Sequence, residues 1–148
     1  MKIFDLHSDL FTDVAVRRSR GEKKVFDRLH YPKLKKAGIS AVLCVFWVEP
    51  AYLARAYARF LQLHRLVLDD LSESRHAVIA QSGIQEMNPD QIQIYMGLEG
   101  LTFMKGWEGE TEYLQVENAF HTLEKNNIIH CSFVWNEQNF LATGTGAS

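Results

Sequence analysis

Cysteine and proline are both scarce in this 148-residue chain, and no apolar run approaches the ~18 residues of a membrane span. Cys44 and Cys131 each sit inside an apolar, strand-like run, "AVLCVFWV" and "IIHCSFVW". A thiol behaves there as a small hydrophobe. With no Cys-x-x-Cys spacing, reduced core thiols are expected rather than a disulfide or a cysteine metal site. An excess of one charge is also missing. Sixteen Lys and Arg face 18 Asp and Glu, a net charge of -2, so no global field recruits nucleic acid or an anionic membrane. Asp5, His7 and Asp9 interrupt the first ten residues, which excludes a secretory h-region there, and the expected location is the cytoplasm. Neither an internal repeat nor a low-complexity tract is present. At 47% hydrophobic and 23% charged residues, the composition is that of one globular domain over 1–148 with enough apolar material for a core.

Apolar runs of strand length recur at 2–10, 40–48, 76–80, 92–98 and 127–135. Between them lie helical patterns. In 51–72, Leu53, Tyr57, Phe60, Leu61, His64, Leu68 and Leu71 follow the spacing of an amphipathic helix. A second helix is expected from about Thr111 to Lys125, with Tyr113, Val116, Phe120 and Leu123 on one face and Glu110 and Glu112 where the helix dipole favours anions. Strands alternating with helices predict a parallel sheet of β/α units. At roughly 30 residues per unit, the chain holds about five. They form either a small open doubly wound sheet or part of a (β/α) barrel. The fifth run is nearly all apolar and is followed by the Gly/Thr/Ser-rich "NEQNFLATGTGAS", so an uncovered edge would call for a partner surface.

The segment "FDLHSDLF" raises the chemical question. With a side-chain period of two, Asp5, His7 and Asp9 share one face of the first strand, and Phe4, Leu6 and Leu10 the other. Burying such groups unpaired is costly. A divalent metal makes the arrangement favourable, because imidazole and carboxylate are natural ligands for zinc and similar ions. The plainer alternative is a solvated strand end in which His7 pairs with a carboxylate. Glu99, in "MGLEGL", lies just past the apolar end of the fourth run, where a charge has no packing role. In parallel α/β folds the carboxyl ends of the strands open onto one rim, so His7, Asp9 and Glu99 would converge there. Gly97 and Gly100 beside it serve either a tight turn or the close approach of a ligand.

These residues resemble a known family. "FDLHSDLFTDVAVRR" is similar to the opening of the membrane (renal-type) dipeptidases, peptidase family M19 of the amidohydrolase superfamily, whose first strand carries D-x-H-x-D. "MGLEGL" resembles that family's G-x-E-G motif, and "NNIIHCSFVWNEQNFLATG" its strand ending in L-T-W-N or L-T-H with an Ala-Asp-Gly-like turn after it. The resemblance implies a TIM-like barrel that hydrolyses the amide bond of dipeptides with a hydroxide held between two zinc ions. It would make His7 and Asp9 ligands of the first metal and Glu99 the catalytic carboxylate bridging both. Asp5 becomes a group supporting the ligands, and Trp135 and Asn136 substrate-binding residues at the rim. Some members of the family have a substrate-binding histidine where this chain has Trp135.

The family's second metal takes two further histidines, and catalysis a further aspartate, from strands beyond the fifth. This sequence supplies none of them, so at most one zinc is well liganded here. His121 falls mid-helix and His130 early in its strand, away from the rim. They and His64 read as surface or core histidines, while His30 and His76 have no evident partner. The expectation is the N-terminal portion of a metallo-dipeptidase barrel, incomplete at its C-terminus and inactive alone. The alternative is a non-catalytic half-barrel that dimerises through its open sheet edge as a binding module. Metal-assisted phosphoester hydrolysis at a similar rim is a weaker enzymatic reading. A basic cluster from Arg17, Arg18 and Arg20 to Lys35 and Lys36 has no aromatic platform interleaved and reads as a solvated loop.

Overall fold

The computed structural model describes residues 2–81, 88–101, 112–136, 138–139 and 141–146, the side chains of 112–115 excepted. The expected positions of Glu110, Thr111 and the Tyr113 side chain lie outside the described residues. The strands are β1 (Ile3–Ser8), β2 (Ile39–Trp47), β3 (Ala77–Ile79), β4 (Ile92–Glu99) and β5 (Ile128–Ser132), and the helices are α1 (Leu10–Ser19), α2 (Tyr31–Lys36), α3 (Ala56–Ser72) and α4 (Glu112–Lys125). A π-helical turn, Phe26–His30, leads into α2, and a 3₁₀ turn, Pro50–Arg55, into α3.

All strand pairings between these elements are parallel. The order is β1-β2-β4-β3, with β5 also against β4. Ala77 to Ile79 pair with Ile92 to Ile94, whereas Ile128 to Ser132 pair with Met96 to Glu99. Thus β3 and β5 share one edge of β4 end to end, and the sheet is four strands wide rather than five. The run at 76–80 yields only a three-residue strand at that edge. β2 and β4 form the spine, in unbroken register from Ala41 opposite Gln93 to Trp47 opposite Glu99. Their continuous apolar sequences suit strands covered on both faces.

The two faces are covered differently. Val42, Cys44, Phe46, Ile92, Ile94, Met96 and Leu98 point into one core with Phe11 and Val14 of α1, Phe60, Leu63 and Val67 of α3, and Ala119 and Leu123 of α4. Tyr31 and Leu34 of α2 pack against the same core. On the opposite face Ala41, Leu43 and Tyr95 join Ala80 in a smaller cluster, and the Phe4 ring stacks on Tyr95 at 5.0 Å. All four helices therefore lie on one side of a twisted parallel sheet. That is the layering of a barrel segment and not of a doubly wound sheet, which carries helices on both faces.

Side-chain placement departs from the sequence expectation in several places. α3 buries Phe60, Leu63, Val67, Asp70 and Leu71, while Tyr57 and Leu61 face outward. In α4, Ala119, Thr122 and Leu123 are buried and Phe120 is 62% exposed. The basic stretch after β1 is not a loop, because Arg17 and Arg18 close the last turn of α1. Arg17 binds both carboxylate oxygens of Asp13 at 2.9 and 3.0 Å, and Arg18 reaches Glu73 at 3.0 Å and Asp70 at 3.7 Å. Asp70, fully buried, accepts the Val25 and Phe26 backbone N–H groups at 2.9 and 2.8 Å, which fastens the chain after α1 to the end of α3. His30 and His76 also have partners: Asp13 lies 3.0 Å from His30 Nε2, and Tyr31 stacks on His76 at 3.8 Å. His64 packs on Phe46 and Phe60 as a core histidine, and its Nε2 donates to the Asn126 carbonyl at 3.2 Å.

Candidate metal centre

The carboxyl ends of β1, β2, β4 and β5 meet at one rim, and the ionisable residues singled out in the sequence gather there. His7 Nε2 lies 3.9 Å from Asp9 Oδ1 and 3.9 Å from Glu99 Oε1. Donor atoms of all three fall within 4.8 Å of one another, and among the described residues they form the one such group of three or more His, Cys, Asp and Glu side chains. Each is delivered by a different piece of local structure. His7 is the penultimate residue of β1, Asp9 occupies the N-cap position of α1, and Glu99 ends β4.

Asp9 is informative because of a bond it does not make. An aspartate at a helix N-cap ordinarily accepts an N–H from the first turn. The Asp9 side chain makes no capping bond; its backbone carbonyl takes the Thr12 N–H at 2.9 Å instead, and the carboxylate is left beside His7. Glu99 is the least exposed of the three, its side chain 22% accessible against 51% for His7 and 70% for Asp9. Burial raises its pKa, opposed by His7 and reinforced by the nearby Asp9 carboxylate. Two carboxylates and an imidazole so placed carry uncompensated negative charge, which a divalent cation neutralises.

The donor set fits one such ion. Zinc held at 2.0–2.2 Å by nitrogen and oxygen places tetrahedral donors roughly 3.3–3.6 Å apart, so the 3.9 Å pairs need close by about half an ångström and the Asp9–Glu99 pair, within 4.8 Å, by at most about 1.5 Å. Rotation of exposed side chains supplies that. Among the described residues no second group of three or more such side chains lies beside it.

Asp5 is not in the cluster. β1 slips one residue against β2, with Asp5 opposite Val42 and Ser8 opposite Cys44, and this irregularity breaks the alternation that would have kept Asp5 and His7 in step. Leu6, expected on an apolar face, is 68% exposed. Asp5 Oδ1 instead accepts the His7 backbone N–H at 3.2 Å, a contact that helps fix the strand carrying the ligand. Trp135 is partly exposed, its ring 5.1 Å from Trp47 in an edge-on contact. Trp47 is directly opposite Glu99 in the β2–β4 register, so this aromatic pair stands beside the carboxylate. The sequence reading missed Trp47, although its position at the end of an apolar run matches that of Glu99. Asn136 accepts from Thr145 Oγ1 at 2.8 Å and, through its carbonyl, from the Gly146 N–H at 3.0 Å, tying the tail back on itself.

The two glycines near Glu99 divide the roles considered for them. Gly100 has φ +82°, which makes the turn out of β4, and donates its N–H to Ser132 Oγ at 2.9 Å. Gly97 is closed in by packing, since a Cβ there would lie 3.1 Å from Val45 and 3.3 Å from Leu43.

No protein-family model matches the chain, and no curated protein matches it. Its fold is similar to that of a solved structure, the dipeptidase AC, a metallopeptidase of family M19. The TM-score is 0.63 at 14% identity, covering 93% of this chain and 44% of that one. At this identity the likeness is one of fold. The chain spans less than half the length of the structure it matches. No helix among the described residues is long and apolar enough to cross a membrane.

Proposed function

We propose that this chain is the N-terminal portion of a zinc-dependent dipeptidase of the M19 type, contributing about five β/α units of a barrel and the first metal site. The observation that carries this reading is the convergence of His7, Asp9 and Glu99 at the strand ends of a barrel-like sheet, with Asp9 released from capping to reach it. Similarity in fold to an M19 metallopeptidase supports the same assignment. When bound, zinc acidifies a water and polarises the scissile carbonyl.

The protein's own part is to bind and to hold. His7 and Asp9 would hold the ion from one short segment, and Glu99 would serve both it and a second ion whose other ligands are not among the described residues. Asp5 steadies the His7 backbone. Trp47 and Trp135 present an apolar wall beside Glu99 against which a dipeptide side chain would rest, with Asn136 next to them at the rim. With one ion at most, the 148-residue chain alone binds zinc weakly and does not turn over dipeptides.

Zinc titration of the chelator-treated chain by isothermal calorimetry tests the reading. One ion per chain is expected, with affinity reduced about tenfold or more by His7→Ala and by Glu99→Gln. Zinc binding indifferent to both substitutions overturns it. Robust dipeptide hydrolysis by the pure chain, lost on chelation, overturns the view that the site is incomplete. The non-catalytic alternative draws on Ile129 and Phe133, both exposed in and after β5. It predicts a concentration-dependent dimer that ignores His7→Ala.

A further inference from the structure

The basic stretch after β1 leaves one arginine that neither the ion-pair network nor the metal site absorbs. Arg17 and Arg18 are engaged with Asp13, Glu22, Asp70 and Glu73. Arg20, at the end of α1, is exposed and lines a cleft with Glu49, Tyr52, Arg55, Arg59 and Gln62, among others. The cleft lies between the end of α1, the Pro50–Arg55 turn and the first turns of α3. Its volume, about 620 Å³, is that of a small-molecule site rather than a polymer track.

Its electrostatics are one-sided. Glu49 supplies the lining's one carboxylate, and Arg59 already holds both its oxygens, through Nε at 3.0 Å and through Nη2. That contact, more than anything else, keeps the Glu49 carboxyl below its usual range, so this pair stays ionised and mutually neutral. Arg20 and Arg55 remain as uncompensated cations. The Arg55 and Arg59 guanidinium groups stand 5.1 and 4.4 Å from the centre of the same Tyr52 ring. A guanidinium held over a ring is oriented by it, and Arg55, unlike Arg59, keeps its N–H groups for a ligand. Arg20 and Arg55 line the same cleft with no carboxylate left to neutralise them, and an anion seated between them supplies the missing charge. Gln62 adds a donor, because its Oε1 accepts from Arg59 at 2.9 Å and leaves its amide nitrogen over.

We propose that this cleft binds a phosphate group, either free phosphate or the phosphoryl end of a small metabolite, held by Arg20 and Arg55 with Gln62 at its side. Planar N–H forks match phosphate oxygens two at a time, and the dianion balances the two free cations.

The test is calorimetric titration of the EDTA-treated chain, at constant ionic strength set with sodium chloride, using inorganic phosphate and glycerol 3-phosphate as probes. Saturable binding of one phosphate group per chain is expected. Arg20→Gln and Arg55→Gln should each weaken it about tenfold or more, and His7→Ala should leave it unchanged. Both arginine side chains are exposed, so neither substitution touches the core. Tighter binding of glycerol 3-phosphate identifies a phosphorylated metabolite as the ligand, and equal binding identifies phosphate itself. No saturation by either probe up to about 10 mM overturns the proposal. So does binding that either arginine variant leaves as strong as in the parent chain.

Discussion

Replacing Asp70 by alanine should cost the fold a large part of its stability, although Asp70 is nowhere near the rim. The carboxylate is fully buried in α3 and meets three needs at once: the N–H of Val25, the N–H of Phe26, and part of the charge of Arg18. Alanine leaves two buried N–H donors without an acceptor, at about 1–3 kcal/mol each. Arg18 keeps Glu73 and so adds little. The expected loss is therefore about 2–6 kcal/mol, a large part of the ~5–15 kcal/mol that holds a domain of this kind together. Asparagine keeps one acceptor oxygen but turns an amide toward the other N–H, and should cost about half as much. Equilibrium urea unfolding followed by far-ultraviolet circular dichroism measures both. A loss below about 1 kcal/mol for Asp70→Ala would refute the view that this carboxylate clamps α1 and the following turn onto α3.

Gly97→Ala should cost about 1–3 kcal/mol by the same assay, because the new methyl group presses on Val45 at 3.1 Å and Leu43 at 3.3 Å inside the sheet. A neutral or stabilising result would mean those side chains give way freely. Acid should destabilise the fold through two histidines. Burial lowers the pKa of His30 and of His64 from 6.5, more than Asp13 and the Asn126 carbonyl respectively restore it. Below that value the unfolded chain takes up protons that the folded chain still refuses. Stability is therefore full above pH 6.5 and falls as pH drops through the window between the unfolded and the lower folded values. His30→Gln combined with His64→Gln should flatten the pH dependence of the urea midpoint between about pH 7 and pH 5. An unchanged slope would place the acid sensitivity elsewhere.

The amino-acid sequence by itself determined the elements whose burial is total and the residues whose chemistry has no packing use. β2 and β4 are legible as apolar runs because both of their faces are covered, and α3 is legible from its periodicity. His7, Asp9 and Glu99 stand out because charge at the end of an apolar strand serves no core. Only the tertiary structure decided matters that depend on long-range pairing. The slip between β1 and β2 took Asp5 out of the cluster while His7 joined it, and no local pattern announces such a shift. The inward stripe of α3 is rotated toward Leu63 and Val67, because the sheet residues opposite, and not helical spacing alone, set which side faces in. Arg18 looks like a loop charge until the fold brings Asp70 and Glu73 to meet it. Whether the units make a barrel segment was likewise undecidable from alternating strands and helices, since the same alternation builds a doubly wound sheet. That depends on which face each helix covers, and all four cover the same one.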